Sequence, residues 1–324
     1  MTKMINTTFQ CTECKNTLSN TGSCLECSRN FFNKDGFFDF TNNSKVLTDN
    51  TRDRLSGLLS NVYSHGYSIG IKKFLKNNSE FANRFKTMEG SIAFRAIHKN
   101  NKRCLVVNSD LGNIPHHISQ SFDHVYSLDT SKEKILIQKS RFQKNHIDNI
   151  VLVRSDSKSL PFPDKYFDVV ILDGIKVNEP DNGSSRFVIV EFLKEIRRVL
   201  ATNGCLCVGL ENKYGITIFQ RKIENNSDRK SFTDSFFGYK SLFTSLGFQV
   251  SPYWALPSHK EPHFSARIED DISLKWFFQN FDKKFFVDRR FRIAGIFLKL
   301  LNKTARKLIL EFFCPSFLFY CYKA

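Results

Sequence analysis

From Arg103 onward the chain alternates short apolar runs with stretches of helical period. RCLVVN (103–108), VYSLD (125–129), IVLVR (150–154) and FDVVIL (167–172) are runs of apolar and β-branched residues, the pattern of strands buried on both faces. Lys132 to Asn145 is helical in pattern. In FVIVEFLKEIRRVL the spacing puts Phe187, Val190, Leu193, Ile196 and Leu200 on one helical face, after which Gly204 opens the strand CLCVGL. Strands joined by helices predict a parallel sheet with right-handed crossovers and helices on both faces. In such sheets ligands bind outside the carboxyl ends of the strands, at the switch point. Upstream, residues 41–101 are polar and mostly helical in pattern, with Leu55, Leu58, Leu59 and Val62 at helical spacing and a looser repeat through Phe81, Phe85 and Ile92. This predicts a linking helical layer over 42–101, in which YSHGYSIG (63–70) reads either as an interhelical turn or as the hinge of a lid.

The first forty residues follow another logic. Cys11, Cys14, Cys24 and Cys27 form C-x2-C-x9-C-x2-C, in which each pair brings two thiolates to one ion from a tight knuckle. Two knuckles complete the closed four-thiolate shell of a structural zinc, with no coordination position left for catalysis. Downstream, RNFFNKDGFFDF (29–40) places two aromatic strands around Asp35-Gly36, a pair favoured in tight hairpins. A segment this short folds poorly on apolar burial alone, so metal binding supplies the missing folding free energy. The expected unit is a zinc ribbon over residues 1–41.

Composition narrows the setting. Forty-one per cent of residues are apolar, 34 of them Phe, against 25% charged, which excludes a disordered chain. Forty-eight Lys plus Arg against 32 Asp plus Glu leave a formal charge of +16, suited to phosphate-rich or anionic partners or else spread over a solvated surface. The N-terminus MTKMINTTFQCTEC carries no signal-peptide pattern, and the apolar tail IAGIFLKLLNKTARKLILEFF is broken by Lys299, Lys303, Arg306 and Lys307. With the remaining cysteines, Cys104, Cys205, Cys207, Cys314 and Cys321, in apolar surroundings, the expectation is a reducing, cytoplasmic location, peripheral membrane contact remaining open.

DSKSLPFPDKYFDVVILDGI (156–175) and FLKEIRRVLATNGCLCVGLEN (192–212) resemble the cofactor-binding core of class I S-adenosylmethionine-dependent methyltransferases, a likeness that extends over residues 103–210. The resemblance implies an α/β fold: a Rossmann-like, seven-stranded sheet spanning 102–324. It also implies S-adenosylmethionine as cofactor. Asp129 corresponds to the acid that grips the ribose hydroxyls, Asp156 to the acid that accepts from the adenine amino group, and Ser157 would offer a backbone N–H to the ring. Asp168 is expected to orient the start of its strand instead. The glycine loop departs from pattern, since Val106 stands where the family has an acid, and Asn108, Asp110 and Gly112 where it has three glycines. Asn and Asp are the least costly replacements where a left-handed backbone is needed. The Asp110 side chain would either crowd the methionine end of the cofactor or meet its ammonium group.

FGYKSLFTSLGFQVSPYWALP (237–257) and PSFLFYCYKA (315–324) resemble the helix and strands that close such a sheet as an edge hairpin. The sixty or so residues between them are too many for a structureless connection, so 256–314 is expected to be a helical insertion, with helices at Ile272–Phe281 and Phe291–Phe313. ENKYG (211–215) and YWALPSHKEPHF (253–264) carry a narrower resemblance, to zinc-ribbon methyltransferases of glycan pathways. That resemblance implies O-methylation of a sugar, glycan or small metabolite, free or on a lipid or nucleotide carrier. The alternative partner is nucleic acid: ribosomal RNA guanine methyltransferases also join four metal ligands to this core, but the Asn-Pro-Pro-Tyr-like motif of base methylation is replaced by LDGIKVNEP. A non-catalytic binding module with a degenerate loop is the third reading. Methyl transfer needs positioning and removal of the acceptor's proton. Candidate bases lie where loops leave the strands: Asp173 and His259 first, with Glu211, Tyr214 and His263 behind them. A loop histidine is more often simply solvated, and Asp173 has a second reading as a contact to the cofactor's amino group.

Overall fold

The structure is a computed structural model that describes residues 8–41, 49–82, 85, 92, 102–156, 159–175, 185–215, 232–260, 262–280 and 300–323. Its strands are β1 (Phe38–Asp39), β2 (Arg103–Val107), β3 (His124–Asp129), β4 (Ile150–Arg154), β5 (Phe167–Asp173), β6 (Leu200–Glu211), β7 (Phe248–Pro257), β8 (Pro262–Arg267) and β9 (Ser316–Lys323). They form one sheet in the order β1-β4-β3-β2-β5-β6-β9-β7-β8, parallel from β1 to β6 and antiparallel thereafter. The strand order reverses beside β2, so the carboxyl ends of β2, β3 and β5 open the crevice where ligands bind.

The helices are α1 (Asp49–His65), α2 (Tyr67–Asn77), α3 (Asn113–Ile118), α4 (Lys132–Lys144), α5 (Ser185–Val199), α6 (Phe236–Ser245), α7 (Asp271–Asn280) and α8 (Lys303–Phe313). One face of the sheet packs Leu105, Leu128, Val170 and Leu206 against α5 and α6. The other packs Val106, Val125, Ile171 and Cys207 against Ile114 and Ile118 of α3. On α5 the buried positions are Ile189, Phe192, Leu193, Ile196 and Val199, while Phe187 is exposed. The expected face was therefore off by about one position at its start: a helix this apolar offers two overlapping stripes, and only docking against the sheet selects one.

The sheet has nine strands where seven were expected, because both edges are extended. β1 comes from the N-terminal ribbon and pairs with β4, while β8 folds back on β7. Each addition covers backbone groups that an edge strand would otherwise leave unpaired. β8 also corrects the helical insertion, since PHFSAR within it is a strand and the β7–β9 pair lies inside the sheet, away from its edge. The helix expected at 272–281 appears as α7; that expected from 291 appears as α8, with residues 291–299 outside the described set. The helical layer packs α1 and α2 together and onto α4, with Leu55, Leu58, Val62, Ile71 and Phe74 burying Ile137. Gly66, with φ +74°, makes the turn between them. Among the described residues no helix is long and apolar enough to cross a membrane.

Candidate functional site

The loop after β2 keeps the geometry that its missing glycines imply. Asn108, Asp110 and Gly112 have φ of 55°, 50° and 80°, so all three positions aligned with glycines are left-handed. Only Gly112 must be glycine for space as well, since a β-carbon there would stand 2.9 Å from both Gln138 Cγ and Phe142 Cζ. Val106, in the place of the family acid, is buried in the apolar layer against α3.

The loop is clamped from α4. Gln138 donates to the Asp110 carbonyl (2.7 Å) and to Ser109 Oγ (3.0 Å), and accepts from Ser127 Oγ (2.6 Å). Lys134 Nζ pairs with Asp110 Oδ1 at 2.9 Å, so this carboxylate turns toward α4. Arg141 donates to the Leu111 carbonyl and to Asn113 Oδ1, and the Leu111 side chain is buried among the α1–α2 residues. Burial, then the Arg141 charge, pushes the His116 imidazole below its ordinary range. None of these clamping residues was singled out in the sequence; the helical spacing of Lys134, Gln138 and Arg141 on one side of α4 was the available signal.

Asp129 ends β3 and is 3% exposed. Its Oδ2 accepts from the Asp110 N–H and its Oδ1 from the Ser131 N–H, each at 3.0 Å. The carboxylate thus fastens the glycine-like loop to β3, a role its motif position did not announce. Asp156 follows β4 and stands beside this end of the sheet, where Asp129 is in register with Arg154. Ser157 lies outside the described residues. Asp168 accepts the Lys102 and Arg103 N–H groups at 2.8 and 2.9 Å, which ties the start of β5 to β2 as expected.

On the other side of the crevice the structure joins two residues that the sequence offered separately. Asp173 ends β5, His259 follows β7, and His259 Nε2 lies 3.0 Å from Asp173 Oδ1. His259 is 3% exposed, so it is not a solvated loop residue. Its ring lies against the backbone of Gly209 in β6, where a β-carbon would collide with it, and beside Ile92. Facing a carboxylate, Nε2 carries the proton, which leaves the lone pair on Nδ1. That atom is buried without a hydrogen-bond partner among the described residues. Glu211 and Tyr214 do not join the pair: the Glu211 carbonyl accepts from the Tyr239 hydroxyl, and the Tyr214 ring is exposed. The His263 side chain lies outside the described set. Burial pushes the Cys104, Cys207 and Cys321 thiols up, which leaves them unreactive in the sheet.

The four N-terminal cysteines converge. Their Sγ atoms all lie within 4.8 Å of one another, with Cys11–Cys27 at 3.5 Å and Cys14–Cys24 at 3.4 Å. A tetrahedral ion about 2.3 Å from each sulfur sets edges of roughly 3.8 Å, so the cluster fits one. The two knuckles repeat each other: Gln10 bridges Thr17 and Ser23 bridges Asn30, and Lys15 and Ser28, just past each C-x2-C, are both left-handed. The Cys24 thiol is held down at about 7, first by the backbone N–H of Cys27. Phe9 anchors the unit to the sheet through Phe38, Phe162 and Tyr126, at centroid distances of 4.3, 5.3 and 6.0 Å. Asp39 in β1 pairs with Arg154 at 3.0 Å, and Arg154 Nε donates to the Thr130 carbonyl, one residue beyond Asp129.

Residues 90–246, just under half of the chain, match the family model of a methyltransferase domain. Three solved structures are similar. The YcgJ protein from Bacillus subtilis is 16% identical, with 72% of this chain and 97% of that one covered and a TM-score of 0.45. A SAM-dependent methyltransferase from Aquifex aeolicus is 15% identical over 55% and 89%, with a TM-score of 0.41. Phosphoethanolamine N-methyltransferase 2 from Haemonchus contortus, in complex with S-adenosyl-L-methionine, is 15% identical over 76% of this chain and 52% of that one, with a TM-score of 0.43. No curated protein matches the chain.

Proposed function

We propose that the chain transfers the methyl group of S-adenosylmethionine to a hydroxyl of a sugar, glycan or other small metabolite, with Asp173 and His259 removing the acceptor's proton. The observation that carries this reading is the buried Asp173–His259 pair at the carboxyl ends of the strands, opposite the left-handed loop. When bound, the cofactor supplies an electrophilic methyl on a sulfonium. The hydroxyl of an acceptor set between the cofactor and the pair would lose its proton to His259. Asp173 holds the imidazole in the tautomer with Nε2 protonated and offsets the charge it gains. Asp129 receives the ribose hydroxyls on the lone pairs left after its two backbone contacts, and Asp156 the adenine amino group. Cys11, Cys14, Cys24 and Cys27 hold one structural zinc, which organises the ribbon.

Radiolabelled methyl donor offered to separate pools of total RNA, lipid-linked glycans and nucleotide sugars tests the acceptor. Label in a glycan or sugar pool is expected; label in RNA alone would assign the chain to base or ribose methylation. With the acceptor in hand, His259→Gln and Asp173→Asn should each lower kcat by about 10²–10⁴-fold, the usual contribution of a positioned base, and leave S-adenosylhomocysteine affinity within about twofold. Wild-type turnover in both variants would remove the pair from the mechanism.

A further inference from the structure

The carboxyl rim of the sheet carries a set of aromatic side chains that the fold does not bury. Phe237 in the first turn of α6 is 44% exposed, and Phe312 and Phe313 at the end of α8 are 40% and 48% exposed. The three are contiguous, with ring centroids 5.6 Å apart for Phe237–Phe312 and 6.3 Å for Phe312–Phe313. Asn212, just past β6, donates to the Phe312 carbonyl, which brings the exposed Tyr214 ring to the same rim. α8 buries Arg306, Leu310 and Glu311, Arg306 being paired with Asp271, while Leu308, Phe312 and Phe313 face outward. Three contiguous exposed aromatic rings form an apolar surface of the kind that a partner covers.

Charge says what covers it. Lys213 stands over the Tyr214 ring, its N–H bonded to the Asp234 carbonyl, and Lys240 lies one turn along α6 from Phe237. Arg186, at the start of α5, reaches the Asp234 carboxylate at 3.9 Å; Arg186, Lys213 and Lys240 are exposed, whereas the carboxylates nearby, Glu211, Asp234 and Glu311, are partly or wholly buried. Exposed aromatic rings interspersed with Lys and Arg match the chemistry of an anionic bilayer interface: rings sit at the headgroup level and cations meet lipid phosphates. The rim also holds the ends of β5 and β6, where the Asp173–His259 pair lies. We infer that this Phe237–Phe312–Phe313 rim seats the protein on an anionic membrane surface and takes its acceptor from a lipid carrier there. The inference rests on the acceptor reading above for the carrier, whereas the seating stands on the surface itself.

Sedimentation of the whole chain with phosphatidylcholine–phosphatidylglycerol vesicles, against pure phosphatidylcholine, tests it. Binding to the anionic vesicles alone is expected, falling as salt rises. A Phe237→Ser, Phe312→Ser, Phe313→Ser variant should partition at least about tenfold less, and Lys213→Glu with Lys240→Glu should abolish the preference for anionic lipid. Both variants should bind S-adenosylhomocysteine as the wild type does, which shows that they are folded. Failure of the wild type to bind that ligand would sink the cofactor reading, and the vesicle result would still decide the seating. No binding to anionic vesicles, or equal binding by wild type and the triple variant, overturns the inference. So does a wild-type dimer in the ultracentrifuge that the Phe→Ser changes convert to monomer, because the rim would then belong to a second copy.

Discussion

The two sides of the ligand crevice are built by opposite means. On the β2–β3 side, loop 108–112, Asp129 and the clamping residues of α4 come from one continuous stretch, and a dense polar network ties them together. On the β5–β7 side, Asp173 and His259 are 86 residues apart and meet only because β6 and β9 lie between their strands in the sheet. Among the described residues, one hydrogen bond to Asp173 and the bare backbone of Gly209 hold the imidazole there. The first side is set by local backbone geometry and tolerates the loss of two glycines. The second depends on the register of the mixed half of the sheet, whose inner layer is aromatic: Trp254, Phe317, Phe319, Phe236 and Phe243.

If the two sides are independent in this way, metal loss should damage one and spare the other. In a Cys11→Ser, Cys24→Ser variant we expect no bound zinc by elemental analysis, and the loss of up to about 10 kcal/mol of ribbon folding free energy. Hydrogen exchange should rise at Phe38–Phe40 and in β4, while β7 and β9 keep their protection. Metal content equal to wild type would end the ribbon assignment; exposure of β7 would end the independence.

Gly112→Ala is the next largest change, because it places a side chain at φ +80° against Gln138 and Phe142. The left-handed cost and the overpacking together should destabilise by about 2–4 kcal/mol in a denaturant titration. A cost near zero would mean that the loop can refold around the methyl and is not the rigid half of the comparison.

Asp129→Ala should weaken S-adenosylhomocysteine binding at least about tenfold in calorimetry, from the loss of charge-assisted hydrogen bonds worth roughly 1.5–3 kcal/mol. It should also lower stability by about 1–3 kcal/mol, since two buried N–H groups lose their acceptor. From the motif alone, folding would be expected to stay nearly unaffected; the bonds from Asp110 and Ser131 reverse that expectation. Equal affinity in variant and wild type would place the ribose elsewhere.

The smallest effect concerns pH. His116 is held below its ordinary 6.5, so the unfolded chain binds its proton more readily than the native one. The contribution of neutral His116 is therefore present above about pH 6.5 and is lost as pH falls below it. His116→Gln should flatten this part of the stability profile, measured by thermal unfolding between pH 7 and pH 5, and an unchanged slope would remove His116 from the pH dependence of the loop side.

What could be read from the sequence follows the same division. The parallel strands, the four-cysteine cluster, the place of Asp129 at the end of β3 and the left-handed positions at 108, 110 and 112 were legible because each depends on residues close in sequence: apolar periodicity, C-x2-C spacing, or a turn. The pairing of Asp173 with His259, the choice of the Ile189–Val199 face on α5, and the strands β1 and β8 were not. Each is a choice among near-equal local options, settled by what lies across the sheet.

By itself, then, the sequence determined the alternation of strands and helices, the four-cysteine knuckles and the left-handed backbone of the loop after β2. Steric limits on φ and the short reach of a C-x2-C pair leave few alternatives at those places. Only the tertiary structure decided that the N-terminal segment would become the edge of the sheet, that Asp129 would fasten the loop after β2, and that His259 would be buried beside Asp173. Those outcomes depend on burial and register between distant segments. Free energies of that kind are summed over the whole packed sheet and are written in no single stretch of chain.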